Sequence, residues 1–167
     1  MKTIILTGMM GTGKTTVAHI IGEKLNIKSI DIDSLIEQNE GEKISAIFSN
    51  KGEEYFRKIE KETIENIFTP TPENLVISLG GGALENSETR EILLNNSTLI
   101  YLKTSPEVIF ERIKNNTSRP LLCGNMSVEK ITEILKKREA NYQSATITII
   151  TDNKTPEKIA DEIIGVL

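Results

Sequence analysis

The chain has 167 residues, of which 38% are apolar and 26% are charged, and its formal net charge is −4. This length is typical of one domain with its own core, and an acidic chain without a dense run of Lys or Arg is not expected to bind nucleic acid broadly. The single cysteine, Cys123, excludes an intramolecular disulfide. No apolar run approaches the roughly 20 residues of a membrane span, and the first run ends at Leu6, so we expect a cytoplasmic protein without a membrane partner.

Five short apolar runs predict buried strands. They are rich in Ile, Val and Leu and lack the polar alternation of a half-exposed strand, as expected of parallel strands covered on both faces. These runs are residues 3–7, 28–32, 75–79, 98–102 and 145–150.

Segments with helical character lie between the predicted strands. Apolar residues recur at helical spacing in residues 15–25 and 53–67. Strands that alternate with helices predict an α/β fold for residues 1–167 as a single domain, namely a three-layer sandwich with a mostly parallel five-stranded sheet and helices on both faces. Further helix starts are predicted at Ser105-Pro106, Ser127 and Thr155-Pro156.

Residues 8–15 read Gly-Met-Met-Gly-Thr-Gly-Lys-Thr and match the phosphate-binding pattern G-x-x-x-x-G-K-[S/T]. The predicted strand enters the motif and the helix leaves it, so backbone N–H groups and a helix N-terminus can face a phosphate. We expect Lys14 to reach the β- and γ-phosphates of ATP, and the Thr15 hydroxyl to bind Mg²⁺. The alternative is a plain glycine turn. The predicted nucleotide-binding residues here are Gly11, Thr12, Gly13, Lys14, Thr15 and Thr16.

A small-molecule kinase fits this motif better than other phosphate-loop proteins do. Asn153-Lys154 begins like the guanine-reading motif Asn-Lys-x-Asp, but Pro156 stands where that motif has Asp. The chain also holds little besides the predicted nucleotide-binding core, whereas helicases and transporters need larger domains or partner modules.

Several short motifs follow the phosphate loop in order along the chain. They are Asp31-Ile32-Asp33, the run from Gly52 to Arg57 that reads G-E-E-Y-F-R, Gly80-Gly81-Gly82, Arg119-Pro120-Leu121-Leu122, and Arg138 followed by Tyr142. In this order the chain resembles the shikimate kinase family over nearly its full length. The resemblance implies transfer of the γ-phosphoryl group of ATP to a hydroxyl of shikimate, giving shikimate 3-phosphate, with Mg²⁺ as cofactor. This reaction serves aromatic amino acid (chorismate) biosynthesis.

The resemblance also implies the shape of the site. A mobile lid is expected at about residues 115–126, where polar, Pro and Gly residues separate two helical segments. A substrate-binding helical segment is expected at about residues 33–67. The protein is expected to be a monomer with a small-molecule substrate.

Two arginines match the family's carboxylate-binding positions, Arg57 and Arg138. A carboxylate is best bound by a planar donor that makes a bidentate pair of hydrogen bonds, which favours Arg over Lys. The alternative for each is an ordinary helix-surface ion pair, with Glu53 or Glu60 for Arg57 and with Glu133 or Glu139 for Arg138.

Two aspartates, Asp31 and Asp33, lie at the end of the second predicted strand. By resemblance, Asp33 binds substrate hydroxyls and orients or deprotonates the attacking one, while Asp31 holds Mg²⁺ mostly through water. The alternative for Asp33 is an N-cap of a helix over residues 34–39. Near its end the third predicted strand has Ser78 rather than the Asp that is common there, so the metal site is expected to use Thr15, Asp31 and, in addition, Ser78 with water.

The glycine run after the third strand, Gly80, Gly81 and Gly82, allows a substrate to approach the backbone closely. Its alternative is a strand-exit turn.

The remaining family positions concern the nucleotide. Arg119 matches the lid arginine that offsets phosphate charge, so Lys14, Asp33 and Arg119 are the predicted catalytic residues. Arg112 and Pro156 match the positions that flank adenine. A solvated loop arginine and a helix-start proline are the alternatives for Arg119 and Pro156. For the whole chain, two alternatives stay open: a related kinase such as gluconate kinase, and a non-catalytic module that senses ATP or shikimate.

Overall fold

The computed structural model describes residues 2–70, 72, 74–114 and 126–167. Within them one sheet has five strands in the order β2-β3-β1-β4-β5, and every pairing is parallel. The predicted parallel α/β sheet is thereby confirmed. The strands are β1 Thr3–Thr7, β2 Lys28–Asp31, β3 Leu75–Ser78, β4 Ser97–Lys103 and β5 Ile147–Ile150.

Helices follow the strands, as parallel crossovers require. The hydroxyls of Ser127 and Thr155 accept hydrogen bonds from backbone N–H groups in the first turns of their helices, as predicted. Ser105 precedes the Pro106 helix, but its hydroxyl makes no capping bond within the described residues. The helices are α1 Lys14–Leu25, α2 Ile32–Glu40, α3 Ile44–Ile67, α4 Ser87–Asn96, α5 Pro106–Ile113, α6 Val128–Tyr142 and α7 Pro156–Gly165.

The sheet is covered on both faces. Because side chains alternate along a strand, Ile4 and Leu6 pack on one face with α1 and α7, whereas Ile5 packs on the opposite face with α2, α3 and α4. All three side chains are fully buried. This is the three-layer arrangement predicted from the sequence.

The helical segment between β2 and β3 is longer than the apolar spacing predicted. α3 begins at Ile44, and Gly52 interrupts it with a backbone φ of 86° and ψ of 169°. A positive φ of this kind favours glycine. The predicted helix at 53–67 is therefore the second part of a kinked helix, and the expected substrate-binding segment corresponds to α2 and α3.

The carboxyl ends of the parallel strands meet at one edge of the sheet. The phosphate loop leaves β1 there, Asp31 ends β2, and a glycine turn leaves β3 and leads into a short 3₁₀ turn, Ala83–Glu85. Ligands of open α/β sheets bind at this edge. None of the helices in the described ranges has the length and apolar character needed to cross a membrane.

Candidate active site

Side chains of the phosphate loop donate hydrogen bonds to backbone carbonyl oxygens of the same loop. Lys14 is only 7% exposed, and its Nζ donates hydrogen bonds of 2.9 Å to the carbonyl oxygens of Gly8 and Met9. Thr12 Oγ1 donates to the Met9 carbonyl at 2.9 Å. The lysine ammonium is therefore held at the N-terminus of α1, where the helix dipole also favours an anion.

A set of oxygen ligands lies beside the loop. Thr15 Oγ1 donates to Asp31 Oδ2 at 2.7 Å and lies 3.4 Å from Ser78 Oγ. Burial raises the pKa of Asp31, but hydrogen bonds from Thr15 and from the Ser34 N–H outweigh it and leave that pKa below its ordinary value. An ionised carboxylate with hydroxyls suits a hard cation such as Mg²⁺.

These oxygens do not form a complete metal cage. The described part of the chain holds no cluster of three or more His, Cys, Asp or Glu suited to a metal. Mg²⁺ usually takes one or two protein carboxylates and completes its shell with phosphates and water. The Thr15 and Asp31 pair therefore fits an ion shared with a nucleotide.

One cavity of about 520 Å³ is lined both by Thr15 and Asp31 and by the predicted substrate residues. It extends from Thr15 and Asp31 at the phosphate loop to Phe48 and Phe56 on α3. The predicted substrate-binding residues all line it, namely Asp33, Arg57, Gly80, Gly81, Gly82 and Arg138.

Arg57 is both an ion-paired helix residue and a cavity residue. Its Nη1 donates to Glu60 Oε2 at 2.7 Å, and its Nη2 lies 3.5 Å from Glu53 Oε1. Burial lowers the pKa of the guanidinium, but Glu60 and the other nearby carboxylates outweigh it and hold that pKa above its ordinary value. A Cβ atom on Gly82 would lie 2.5–2.8 Å from the guanidinium, so Arg57 packs directly on the glycine turn.

Arg138 has a different ion-pair partner from either one predicted. Its Nε lies 2.5 Å from Glu85 Oε1, and its side chain is 12% exposed. The predicted surface pairs are wrong, because Glu133 pairs with Lys137 and Glu139 binds Tyr101 and Lys103 instead. Arg138 thus lies on the side of α6 that faces the 3₁₀ turn and the cavity.

The N-cap alternative for Asp33 is also wrong. Asp31 caps α2, since its Oδ1 accepts from the Ser34 N–H at 2.9 Å, and Asp33 lies within the first turn. A Cβ atom on Gly80 would lie 3.0 Å from Asp33 Oδ1, so this carboxylate borders the glycine turn.

Glu60 is a site residue that the sequence reasoning missed. It is 3% exposed, and its Oε1 has no hydrogen-bond partner among the residues described. Burial raises the pKa of Glu60, Arg57 lowers it and Asp33 raises it, with a net upward shift. Its position one turn after Arg57 is a signal in the sequence, but the same spacing fits an ordinary surface ion pair.

The nucleotide positions are placed in part. Arg112 Nη1 donates to the Gly11 carbonyl at 3.2 Å, so α5 contacts the phosphate loop. Thr16 lies exposed in the first turn of α1, and Pro156 begins α7. Their roles in binding ATP stay predictions. Arg119 and lid residues 115–125 lie outside the described residues.

Comparison with known proteins identifies the family. The shikimate kinase family model matches residues 10–167. A shikimate kinase of Sulfurihydrogenibium sp. is 44% identical over 98% of this chain and 96% of its own length, and one of Persephonella marina is 44% identical over 99% and 98%. The structure of Acinetobacter baumannii shikimate kinase in complex with shikimate superposes with a TM-score of 0.95 at 32% identity, covering 99% of this chain and 92% of that one. The chain belongs to the shikimate kinase family.

Proposed function

We propose that this protein catalyses Mg²⁺-dependent transfer of the γ-phosphoryl group of ATP to the 3-hydroxyl of shikimate, giving shikimate 3-phosphate and ADP. One observation carries the proposal. A single cavity holds Arg57 and Arg138, the acidic Asp33, and the phosphate-loop residue Thr15. A substrate with a carboxylate at one end and hydroxyls at the other fits this cavity, because the carboxylate can bind the arginines while the hydroxyls bind Asp33.

Arg57 and Arg138 bind the shikimate carboxylate in this proposal. Charge-assisted bonds from planar guanidinium groups give both affinity and orientation. Gly81 and Gly82 lie against the two guanidinium groups, and their lack of a side chain lets the substrate approach the backbone. Glu60 Oε2 accepts a hydrogen bond of 2.7 Å from Arg57 Nη1 and so orients this guanidinium.

Asp33 binds the ring hydroxyls and orients the one that attacks. The hydroxyl oxygen forms a bond to the γ-phosphorus as the bond from that phosphorus to the β–γ bridging oxygen breaks. ADP leaves with the electron pair, and the hydroxyl proton passes to the Asp33 carboxylate. Such transfer depends mainly on positioning and on stabilising charge, because the transition state is loose.

The phosphate loop and the lid supply that charge stabilisation. Lys14 interacts with the β- and γ-phosphates, and Arg119 covers the transferred group. Arg112 and Pro156 flank the adenine. Thr15 and Asp31 hold Mg²⁺, which neutralises phosphate charge when bound.

The experiment is a coupled ADP-release assay with shikimate, with gluconate and without an acceptor, each with Mg²⁺ or with EDTA. We expect release only with shikimate and Mg²⁺ together. Brisk turnover on gluconate would favour the related kinase, whereas ATP binding without turnover on either acceptor would favour a sensing module. We further propose that the protein works as a monomer in the cytoplasm, which size-exclusion chromatography with light scattering tests for the oligomeric state.

A further inference from the structure

Glu85 lies in the 3₁₀ turn that directly follows the glycine run. Its Oε1 lies 2.5 Å from Arg138 Nε, and its side chain is 47% exposed while that of Arg138 is 12% exposed. The ion pair therefore joins the end of the glycine turn to α6, and these two elements both line the substrate cavity.

The Glu85 carboxylate approaches Arg138 from outside the substrate cavity. Arg138 lines the 520 Å³ cavity and Glu85 does not. Glu85 instead lines a second cavity of about 480 Å³ on the other side of Arg57 and Gly82. Arg57 and Gly82 line both cavities and therefore lie between the Glu85 cavity and the space that the substrate occupies in the proposed function.

The donors of the Arg138 guanidinium are divided between two directions. Its Nε faces Glu85 at 2.5 Å, whereas its Nη1 lies 3.7 Å from the position that a Cβ atom on Gly81 would take. A guanidinium is planar, so fixing the Nε edge also fixes the plane in which the terminal nitrogens lie. The terminal nitrogen Nη1 therefore lies beside the turn that lines the cavity.

We propose that Glu85 is a positioning residue that fixes Arg138 for the substrate carboxylate. The inference rests on the proposed function, since it requires Arg138 to bind that carboxylate. A long arginine side chain that is already held loses less conformational freedom when the substrate binds. Repulsion between Glu85 and the substrate carboxylate opposes this gain, but Glu85 is half exposed and water and salt screen it.

The test compares Glu85→Ala and Glu85→Gln with the parent enzyme. Glu85→Ala should raise the KM for shikimate by about three- to tenfold while kcat stays within about twofold. The KM for ATP should not change. Gln keeps an oxygen that can accept from Nε–H, so Glu85→Gln should recover at least half of the loss on a logarithmic scale.

Glu88→Ala is the matched control. Glu88 is exposed on the adjacent helix α4 and pairs with Lys61, so its removal changes the net charge equally without touching either cavity arginine. Its kinetic constants should equal those of the parent, and all three variants should melt within about 3 °C of the parent, as expected for exposed positions.

Other outcomes would overturn the inference. An unchanged shikimate KM in Glu85→Ala would mean that Glu85 has no role in substrate binding. A lower shikimate KM in both variants would mean that Glu85 competes with the substrate carboxylate for Arg138. A fall in kcat with a change in the KM for ATP would indicate a general structural role. Calorimetric titration with shikimate separates this failure from that of the proposed function: a parent that binds shikimate without turnover still reports the effect of Glu85, and a parent that does not bind it contradicts both.

Discussion

The phenol of Tyr142 donates a hydrogen bond to the carbonyl oxygen of Gly81, 2.5 Å away. Tyr142 is 1% exposed, and its ring stacks on that of Tyr101 with the centroids 5.0 Å apart. Arg138 lies one turn earlier on the same helix. The glycine turn and the arginine, which both line the cavity, are therefore connected through the end of α6.

Tyr142→Phe should weaken shikimate binding and reduce stability. The Gly81 carbonyl would lose its buried donor, at a cost of about 1–3 kcal/mol in the free energy of unfolding. We expect the KM for shikimate to rise about three- to tenfold and the KM for ATP to stay unchanged. Steady-state kinetics and urea unfolding measure the two effects.

Tyr55→Phe is the control for this change, because it removes a phenol that donates to Glu40 rather than to the turn. Burial raises the pKa of Tyr142 to about 12, so the phenol stays a donor up to about pH 10 and its ionisation should not affect the shikimate KM below that pH. Loss of stability without any change in the shikimate KM would limit Tyr142 to a structural role.

The sheet could be predicted because its signals are local. The central strands β1, β3 and β4 are short runs rich in Ile, Val and Leu, and the predicted runs overlap all five strands. The prediction that every strand is buried is wrong for β2 and β5, because these strands form the edges of the sheet and are partly exposed. The phosphate loop was equally readable, since its eight residues sit between a buried strand and a helix. The six predicted substrate residues line one cavity although they come from separate segments of the chain, and their roles in binding stay predictions.

The partners of these residues could not be read in the same way. Glu85 meets Arg138 only because the 3₁₀ turn packs on α6, so no spacing along the chain connects them. Asp31 rather than Asp33 caps α2, because the strand ends one residue earlier than the apolar run. The sequence does not predict α4, because its apolar residues Ile92, Leu93 and Leu94 are consecutive and do not recur at helical spacing.

Lys14→Ala should abolish phosphoryl transfer while the fold is retained. The lysine is the expected phosphate ligand, and removing a preorganised charge of this kind lowers kcat by roughly 10²–10³ or more. Because Lys14 Nζ also binds two loop carbonyls, we expect a modest drop in melting temperature. Lys24→Ala, on the same helix and paired with Asp161, should keep normal turnover. Near-normal turnover of Lys14→Ala would contradict the assigned role.

Gly80→Ala and Gly82→Ala should each damage the substrate site. The new methyl group would lie 2.5 Å from Glu60 Oε1 in the first variant and 2.5 Å from Arg57 Nη2 in the second. Both positions are closer than van der Waals contact, so the end of the Glu60 or Arg57 side chain must move away from its place beside the turn. We expect weaker shikimate binding by calorimetry in both.

Gly165→Ala is the matched control, since a Cβ atom there would meet no atom within 4 Å. It should leave shikimate affinity unchanged. If Gly80→Ala bound shikimate as well as Gly165→Ala does, the close approach of the substrate to this turn would be contradicted.

Asp31→Asn should reduce the dependence of stability on acidic pH. The pKa of Asp31 lies below its ordinary value in the folded protein, so its ionised form contributes stability above about pH 4 that is lost as the pH falls through the folded value. Asn caps a helix as well as Asp does but carries no charge. The free energy of unfolding of the parent should therefore be higher than that of the variant by about 1 kcal/mol at neutral pH. This difference should become smaller as the pH is lowered.

Urea unfolding at several pH values in the presence of EDTA measures this difference without a contribution from bound metal. A difference between parent and variant that stays constant from neutral pH to strongly acidic pH would mean that the Asp31 carboxylate gains nothing from Thr15 and the Ser34 N–H.

Arg57→Lys and Arg138→Lys test the substrate assignment directly. Lys keeps the positive charge but lacks the planar guanidinium group, so it cannot make bidentate hydrogen bonds to a carboxylate. Charge-assisted hydrogen bonds contribute roughly 1.5–3 kcal/mol, so each variant should bind shikimate about ten- to a hundredfold more weakly. ATP affinity should change much less, because neither arginine belongs to the nucleotide motifs. Lys58→Ala, which removes a cation from the exposed side of α3, is the control and should bind shikimate normally.

The structure makes this comparison sharper, because each arginine already has an ion-pair partner. If Glu60 and Glu85 were the whole reason for Arg57 and Arg138, replacement by Lys would reduce stability and leave shikimate affinity unchanged. If the arginines bind the substrate, the Lys variants should bind shikimate more weakly in calorimetric titrations. If the arginines are only structural, titrations with shikimate and with ATP should both be unchanged. Unchanged shikimate affinity in both variants would reduce the arginines to structural ion pairs and would remove the main physical reason for a carboxylate-bearing acceptor.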